Sequence, residues 1–251
     1  MTLPGALAAL LLAVPVHAAP GARFERKDWS APVPLPRGAM LVIGFLGGWE
    51  RWDDDRRGVR RLALRLRESA PDKLFVETAS NHDRRLVRRI LLESLDLNRD
   101  GRLSREETES VNLVFYGQSF GGAAAVYLAR DLARHGVPVR LTVQVDSVGR
   151  RDHIIPPNVA RAMNLYQRDP GPIRGEPAIR AADPSRTAIL GNLPFTYLFR
   201  HVDMSQYPAI ARRIGLSHWK MDNDPAVWAI VEATIRAEII RWRAETPPAG
   251  P

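Results

Sequence analysis

Gly117-Gln118-Ser119-Phe120-Gly121 constrains this chain more than any other stretch. It follows an apolar run, Val111-Asn112-Leu113-Val114-Phe115-Tyr116, and precedes a helix-forming one, Gly122 to Ala129. A G-x-S-x-G between a strand and a helix needs a very sharp turn. The flanking glycines are required because a Cβ would clash there, and the turn lifts the serine hydroxyl clear of the sheet. In an arbitrary loop the pattern carries little. Between a strand and a helix it reads as a nucleophile elbow with Ser119 at its tip.

The rest of the chain supplies the sheet such a turn belongs to. Met40 to Leu46 is an apolar strand running into Gly47-Gly48. Arg57 to Arg67 places Val59, Leu62 and Leu66 at helical spacing, Lys73 to Thr78 is a short strand, and Asp83 to Leu95 is a helix with Leu86, Ile90 and Leu91 on one face. Val139 to Asp146 is a further strand. The alternation predicts an α/β fold, a mostly parallel sheet with helices on both faces. Pro156 to Gln167 reads as a helix, the Pro- and Gly-rich stretch 168–186 as a lid, and Ala188–Asn192 and Tyr197–Val202 as the last strands. Asp224 and Pro225 make an N-cap and first helical position for a C-terminal helix with Val227, Ile230, Val231, Ile235 and Trp242 on its buried stripe.

A serine nucleophile needs a base, and the base needs an orienting acid. Of the six histidines, His218 lies late in the chain, in a loop just before the C-terminal helix, and is the favoured base. Asp146, at the carboxyl end of an apolar strand, is the favoured acid. Asp203 is its rival, and Asp222 and Asp224 are weaker choices. The oxyanion of an acyl intermediate needs two backbone N–H donors. Phe120, after the nucleophile, is one. Phe45 is the first choice for the other and Leu46 the second, with Gly47 and Gly48 letting backbone approach substrate. An apolar lining from Phe45, Leu46, Trp49 and Phe120 favours an acyl or aromatic ester over a peptide.

The order Ser119, Asp146, His218 resembles the nucleophile–acid–base order of the α/β-hydrolase superfamily. Gly44-Phe45-Leu46-Gly47-Gly48 is similar to its oxyanion loop, with Ile43 where the family has histidine. Val145-Asp146-Ser147-Val148-Gly149 resembles the Asp-Thr-Val-Gly acid segment of bacterial lipase-like hydrolases, in which the acid follows the sixth strand of the family's sheet. The resemblance covers about residues 38 to 242 and implies hydrolysis of an ester or thioester in a small molecule or lipid.

A second motif stands within this domain. Asp96-Leu97-Asn98-Arg99-Asp100-Gly101-Arg102-Leu103-Ser104-Arg105-Glu106-Glu107 fits the twelve-residue calcium loop D-x-[DN]-x-[DN]-G-x₅-E. Side-chain oxygens of Asp96, Asn98 and Asp100, the Arg102 carbonyl, Ser104 and a bidentate Glu107 would surround one Ca2+. The segment resembles an EF-hand loop, but a single one with a short exiting helix. The spacing predicts a structural site with a Kd on the order of 10⁻⁴–10⁻³ M, the extracellular class. A calcium-binding protein whose hydrolase chemistry is lost is the alternative function.

Bulk properties limit the remaining classes. Leu3 to Val16 is apolar, too short to span a bilayer, and followed by a small-residue cut site after Ala18. Residues 1–18 therefore read as a secretory signal, 19–37 as an extended lead-in, 38–246 as the hydrolase domain and 247–251 as a disordered tail, placing the protein in the periplasm or outside the cell. With no cysteine, neither disulfides nor thiol catalysis arise. The net charge of +8 rests on arginine, clustered at 56, 57, 60, 61, 65 and 67 and at 84, 85, 88 and 89. These clusters read first as solvated helix faces and second as a surface for anionic membrane. No aromatic-interleaved basic stretch points to nucleic acid.

Overall fold

The computed structural model describes residues 23–205, 207 and 217–245. The proposed leader and tail lie outside them. The strands are β1 (Met40–Leu46), β2 (Leu74–Ser80), β3 (Asn112–Gln118), β4 (Val139–Val145), β5 (Ile154–Ile155), β6 (Val159–Gln167), β7 (Arg180–Ala181) and β8 (Ala188–Phe195). The helices are α1 (Gly58–Glu68), α2 (Arg84–Leu95), α3 (Arg105–Glu109), α4 (Phe120–Ala133), α5 (Ser217–Asn223) and α6 (Pro225–Glu245). Six strands form one sheet in the order β2-β1-β3-β4-β6-β8, and every pair in it is parallel. The short β5 and β7 pair separately.

The sheet is covered on both faces, which is why its central strands are apolar at every position rather than at alternate ones. Leu41, Ile43 and Phe45 of β1 join Val87, Ile90 and Leu91 of α2 and the alanine-rich face of α4. Met40 and Val42 point the other way, into a core shared with Leu62 and Leu66 of α1 and Val227, Val231 and Ile235 of α6. This is the layering that the strand–helix alternation and the α/β-hydrolase resemblance imply. The two amphipathic helices keep their arginines outside, and many of those arginines are paired within the molecule: Arg56 with Asp54, Arg60 with Asp55, Arg65 with Glu232 and Arg84 with Asp131.

Three segments differ in type from the sequence reading: 156–167, Tyr197–Val202 and the expected loop around His218, which is the helix α5. The stretch 156–167 is not a helix. Residues 159–167 form β6, paired along β4 from Val139↔Val159 to Val145↔Leu165. Ala, Met and Leu give this run helical propensity, but a free edge of β4 and the burial of Ala162, Asn164, Leu165 and Gln167 outweigh that weak preference. The last strand extends further than expected, to Phe195, while Tyr197–Val202 is irregular. Asp224 caps α6 as its sequence suggests, accepting the Ala226 N–H at 3.0 Å.

Candidate active site

Ser119 stands between β3 and α4 with φ 57° and ψ −128°, a strained backbone for a residue with a side chain. The strain is held from three sides. The Ser119 N–H donates to the Val145 carbonyl at 2.9 Å. A methyl group at Gly117 would overlap the backbone of Gly121, and one at Gly121 would overlap the Phe45 carbonyl. Phe120 opens α4, so its N–H has no carbonyl one turn back to bond and stays available beside the serine hydroxyl.

His218 reaches that hydroxyl from the second residue of α5. Its Nε2 lies 2.9 Å from Ser119 Oγ, and its Nδ1 lies 2.6 Å from Asp146 Oδ2. All three side chains are buried, Asp146 completely. A neutral imidazole whose Nδ1–H donates to Asp146 leaves the Nε2 lone pair facing Ser119 O–H, the arrangement a general base requires. The structure therefore brings together the three residues picked from sequence, ninety-nine and seventy-two positions apart. Asp203, the rival acid, is exposed and accepts the Ser205 N–H instead. Asp222 bonds the Tyr207 hydroxyl, and Asp224 bonds the Tyr197 hydroxyl and Arg200.

Asp146 follows β4 with φ 45°, a left-handed conformation that aspartate tolerates better than most residues. Four donors converge on its carboxylate. Oδ1 accepts the N–H groups of Gln167 at 3.1 Å and Gly175 at 2.9 Å. Oδ2 accepts Gln167 Nε2 at 2.9 Å alongside His218. Neither Gln167 nor Gly175 is visible as functional in the sequence. Gln167 ends a strand whose type was misread, and Gly175 acts through its backbone. The segment expected to be a lid thus contributes a backbone amide to the acid. It also carries Asp169, which accepts Ser217 Oγ and Tyr197 N–H and so anchors the start of α5. Burial alone would raise the Asp169 pKa, but its bonds from Ser217, Tyr197 and Thr196 hold it below the usual carboxylate range.

The loop after β1 passes beside the nucleophile. Phe45 lies within β1, flanked by Ala79 of β2 and Gly117 of β3, so its amide belongs to the sheet. Beyond the strand end, Gly47 lies against the nucleophile: a methyl group there would sit 2.8 Å from the Ser119 Cβ. Phe45 and Leu46 are buried core residues, each packed into one face of the sheet. Trp49 is exposed and stacks on His82 at 4.5 Å. Gln118 Nε2 lies 3.3 Å from His218 Nε2, a contact the sequence did not suggest.

A buried charged cluster supports the loop from behind. Arg57 lies 3.3 Å from Glu50, 3.4 Å from Asp54 and 3.7 Å from Asp222, and its guanidinium covers the Tyr207 ring at 4.6 Å. Glu50 accepts the Gly47 N–H at 3.2 Å. Burial pushes Glu50 up to about 8, against the opposing pull of Arg57.

The proposed calcium loop has the turn such a site needs. Arg99 and Gly101 take φ 61° and 79°, and Asp96 Oδ2 accepts the Gly101 N–H at 2.8 Å. The Asp100 N–H is shared between Asp96 Oδ1 and Asn98 Oδ1, while the Asp100 carboxylate accepts the Arg102 N–H and Asn98 Nδ2. The oxygen-only donor set suits a hard cation. Glu107, the twelfth position, is engaged otherwise: Oε1 accepts the Leu97 and Asn98 N–H groups, and Oε2 accepts Ser104 N–H and Oγ in a capping box. Bidentate ligation by Glu107 would replace those bonds.

No family model matches the chain, and no curated protein matches its sequence. Solved structures similar to it include a dienelactone hydrolase from Anabaena variabilis, 13% identical with a TM-score of 0.41, covering 83% of this chain and 88% of that one. A thioesterase from the prodiginine biosynthetic pathway in Streptomyces coelicolor is 13% identical with a TM-score of 0.37, covering 88% and 97%. A cutinase-like protein from Cryptococcus sp. is 12% identical with a TM-score of 0.36, covering 81% and 98%.

Proposed function

We propose that this chain is an exported serine hydrolase that cleaves an ester or thioester and binds Ca2+ as a structural ion. The observation that carries the reading is the unbroken hydrogen-bond chain from Ser119 Oγ through His218 to Asp146, with the serine on a strained elbow. In the first step Ser119 Oγ attacks the acyl carbon while His218 Nε2 takes its proton. The oxyanion that forms is stabilised by the Phe120 N–H and a second amide from the loop after β1. Collapse breaks the bond to the leaving alcohol or thiol, which receives the proton from His218. Water then attacks the acyl-serine by the same route and releases the acid.

Asp96, Asn98, Asp100, the Arg102 carbonyl, Ser104 and Glu107 would hold the calcium. A bound Ca2+ would fix the connection between α2 and β3 one strand before the nucleophile. The test is covalent labelling of the mature chain by a fluorophosphonate, with Ser119→Ala as comparison, followed by turnover of a short nitrophenyl ester. Labelling confined to wild type supports the reading. A folded wild type that neither labels nor hydrolyses any ester leaves the calcium-dependent binding protein as the better account.

A further inference from the structure

Outside the serine site, a ring nitrogen of His153 and carboxylate oxygens of Asp152 and Glu176 lie within 4.8 Å of one another. Two observations set this group apart from an ordinary acidic cluster. Asp152 is completely buried, yet its Oδ1 has no hydrogen-bond partner. His153 Nδ1 is likewise buried without a hydrogen bond, 3.6 Å from Glu176 Oε1. A carboxylate oxygen left unpaired in the interior is costly, so native structures seldom leave one without an ion, water or donor. Arg130, which bonds the same turn, donates to the carbonyls of Arg151 and Ile154.

The donor set and its spacing suit a cation. One imidazole and two carboxylates match the harder end of the zinc ligand range, and ligands about 2.1 Å from a tetrahedral centre lie roughly 3.4 Å apart. The His153–Glu176 separation is already near that value. Both acidic residues are also held in place by neighbouring groups. The other oxygen of Asp152 accepts Ser147 Oγ and the Gly149 N–H, which fixes the carboxylate. Glu176 is held through its backbone, its N–H donating to the Ser147 carbonyl and its carbonyl accepting Asn164 Nδ2.

We propose that Asp152, His153 and Glu176 form a binding site for a transition-metal dication of the Zn2+ class, which ties the loop after β4 to the segment before β7. Those are the two stretches that grip Asp146. Ser147 is its chain neighbour, and Gly175, beside Glu176, donates to its Oδ1. The ion acts at a distance from Ser119, as a staple on the acid loop. The site is separate from the calcium loop, whose ligands are all oxygen, and its occupancy does not depend on hydrolase activity.

Titration calorimetry with Zn2+ on the whole mature chain tests this, using wild type, His153→Ala, Glu176→Gln and, for the calcium loop, Glu107→Gln. Glu176 and His153 are each about a third exposed, so their variants should fold. Wild type is expected to bind one equivalent saturably. His153→Ala should weaken the affinity at least tenfold and Glu176→Gln severalfold or more, with Glu107→Gln unchanged. Zinc should also raise the wild-type melting temperature and leave that of His153→Ala where it was. No saturable binding by folded wild type would overturn the proposal and leave His153 and Glu176 as an ion pair. Binding that survives both site variants would overturn it equally, by placing the zinc elsewhere.

Discussion

Replacing Asp146 by asparagine changes one atom and sets two of its four hydrogen bonds in conflict. Two donors to Oδ1 are backbone N–H groups, of Gln167 and Gly175, and cannot reorient. The asparagine must therefore place its carbonyl there and its NH2 where Oδ2 was. That NH2 faces His218 Nδ1 and Gln167 Nε2. To accept from it, His218 must move its proton to Nε2, which then cannot take the proton of Ser119. Gln167 cannot relieve the clash by flipping, because its Nε2 also donates to the Ile173 carbonyl and its Oε1 accepts the Asp169 N–H. The wrong tautomer costs about 10³–10⁴ in kcat, or roughly 4–5.5 kcal/mol at 1.36 kcal/mol per decade. One or two buried donors left facing donors cost about 2–4 kcal/mol of stability. For a domain of this size that lowers Tm by roughly 4–16 °C. Aspartate and asparagine both tolerate the positive φ at this position, so the backbone is not the variable. The assays are kcat/KM on a nitrophenyl ester, the rate of fluorophosphonate labelling and the melting temperature. A variant within tenfold of wild type in both rates would refute the assignment of Asp146 as the residue that sets the imidazole tautomer.

Four further outcomes follow from the same geometry. Gly121→Ala drives a methyl into the Phe45 carbonyl, so fluorophosphonate labelling should fall at least a hundredfold with a loss of several degrees in Tm; normal labelling would contradict the tight packing of the elbow. Asp169→Asn removes the charge that holds Ser217 and the start of α5, and should lower kcat about tenfold or more with KM little changed, read from initial rates across substrate concentrations. Glu50 has a folded pKa raised to about 8 from an ordinary 4.5, so its contribution to stability is complete below about 4.5 and is lost as pH rises through 8. The Tm of Glu50→Gln relative to wild type should therefore climb between pH 6 and pH 9, and a constant difference would show that Glu50 is ionised throughout. Calcium at ten times its Kd should stabilise the fold by about 1.4 kcal/mol, a rise of roughly 3–6 °C over chelator; Glu107→Gln should abolish most of that rise, and a wild type with no shift would remove calcium from the account.

Much of the fold was legible because its strongest signals are local. Met40–Leu46 is apolar throughout and bounded by glycine, and the strand has those limits. Asp224-Pro225 marks the start of α6 because capping chemistry depends on adjacent residues alone. Residues 159–167 were illegible for the opposite reason: their strand is set by the edge of β4, which propensity does not report. The candidate site divides in the same way. Ser119 is announced by its elbow, and Asp146 and His218 by order and by strand and loop ends. Gln167 and Gly175 leave no trace in sequence, since one belongs to the misread strand and the other works through its N–H. Where β1 releases the chain is set by its neighbours, since pairing with β3 ends at Phe45↔Gly117 and pairing with β2 at Leu46↔Ser80, and local sequence does not report that.

The distance in sequence between Ser119 and His218 has a consequence for how the protein comes into being. Ninety-nine residues separate them. At about 5–20 residues per second, roughly 5–20 s of synthesis pass between the two. Through that interval the growing chain owns a serine hydroxyl with no base to activate it, and the acid has yet to receive the amides of Gln167 and Gly175. On the proposed function, the nascent chain has no assembled triad with which to attack an ester. The triad is complete only when the last seventh or so of the described residues, α5 and α6, packs onto the sheet, so assembly of the site marks the completion of folding.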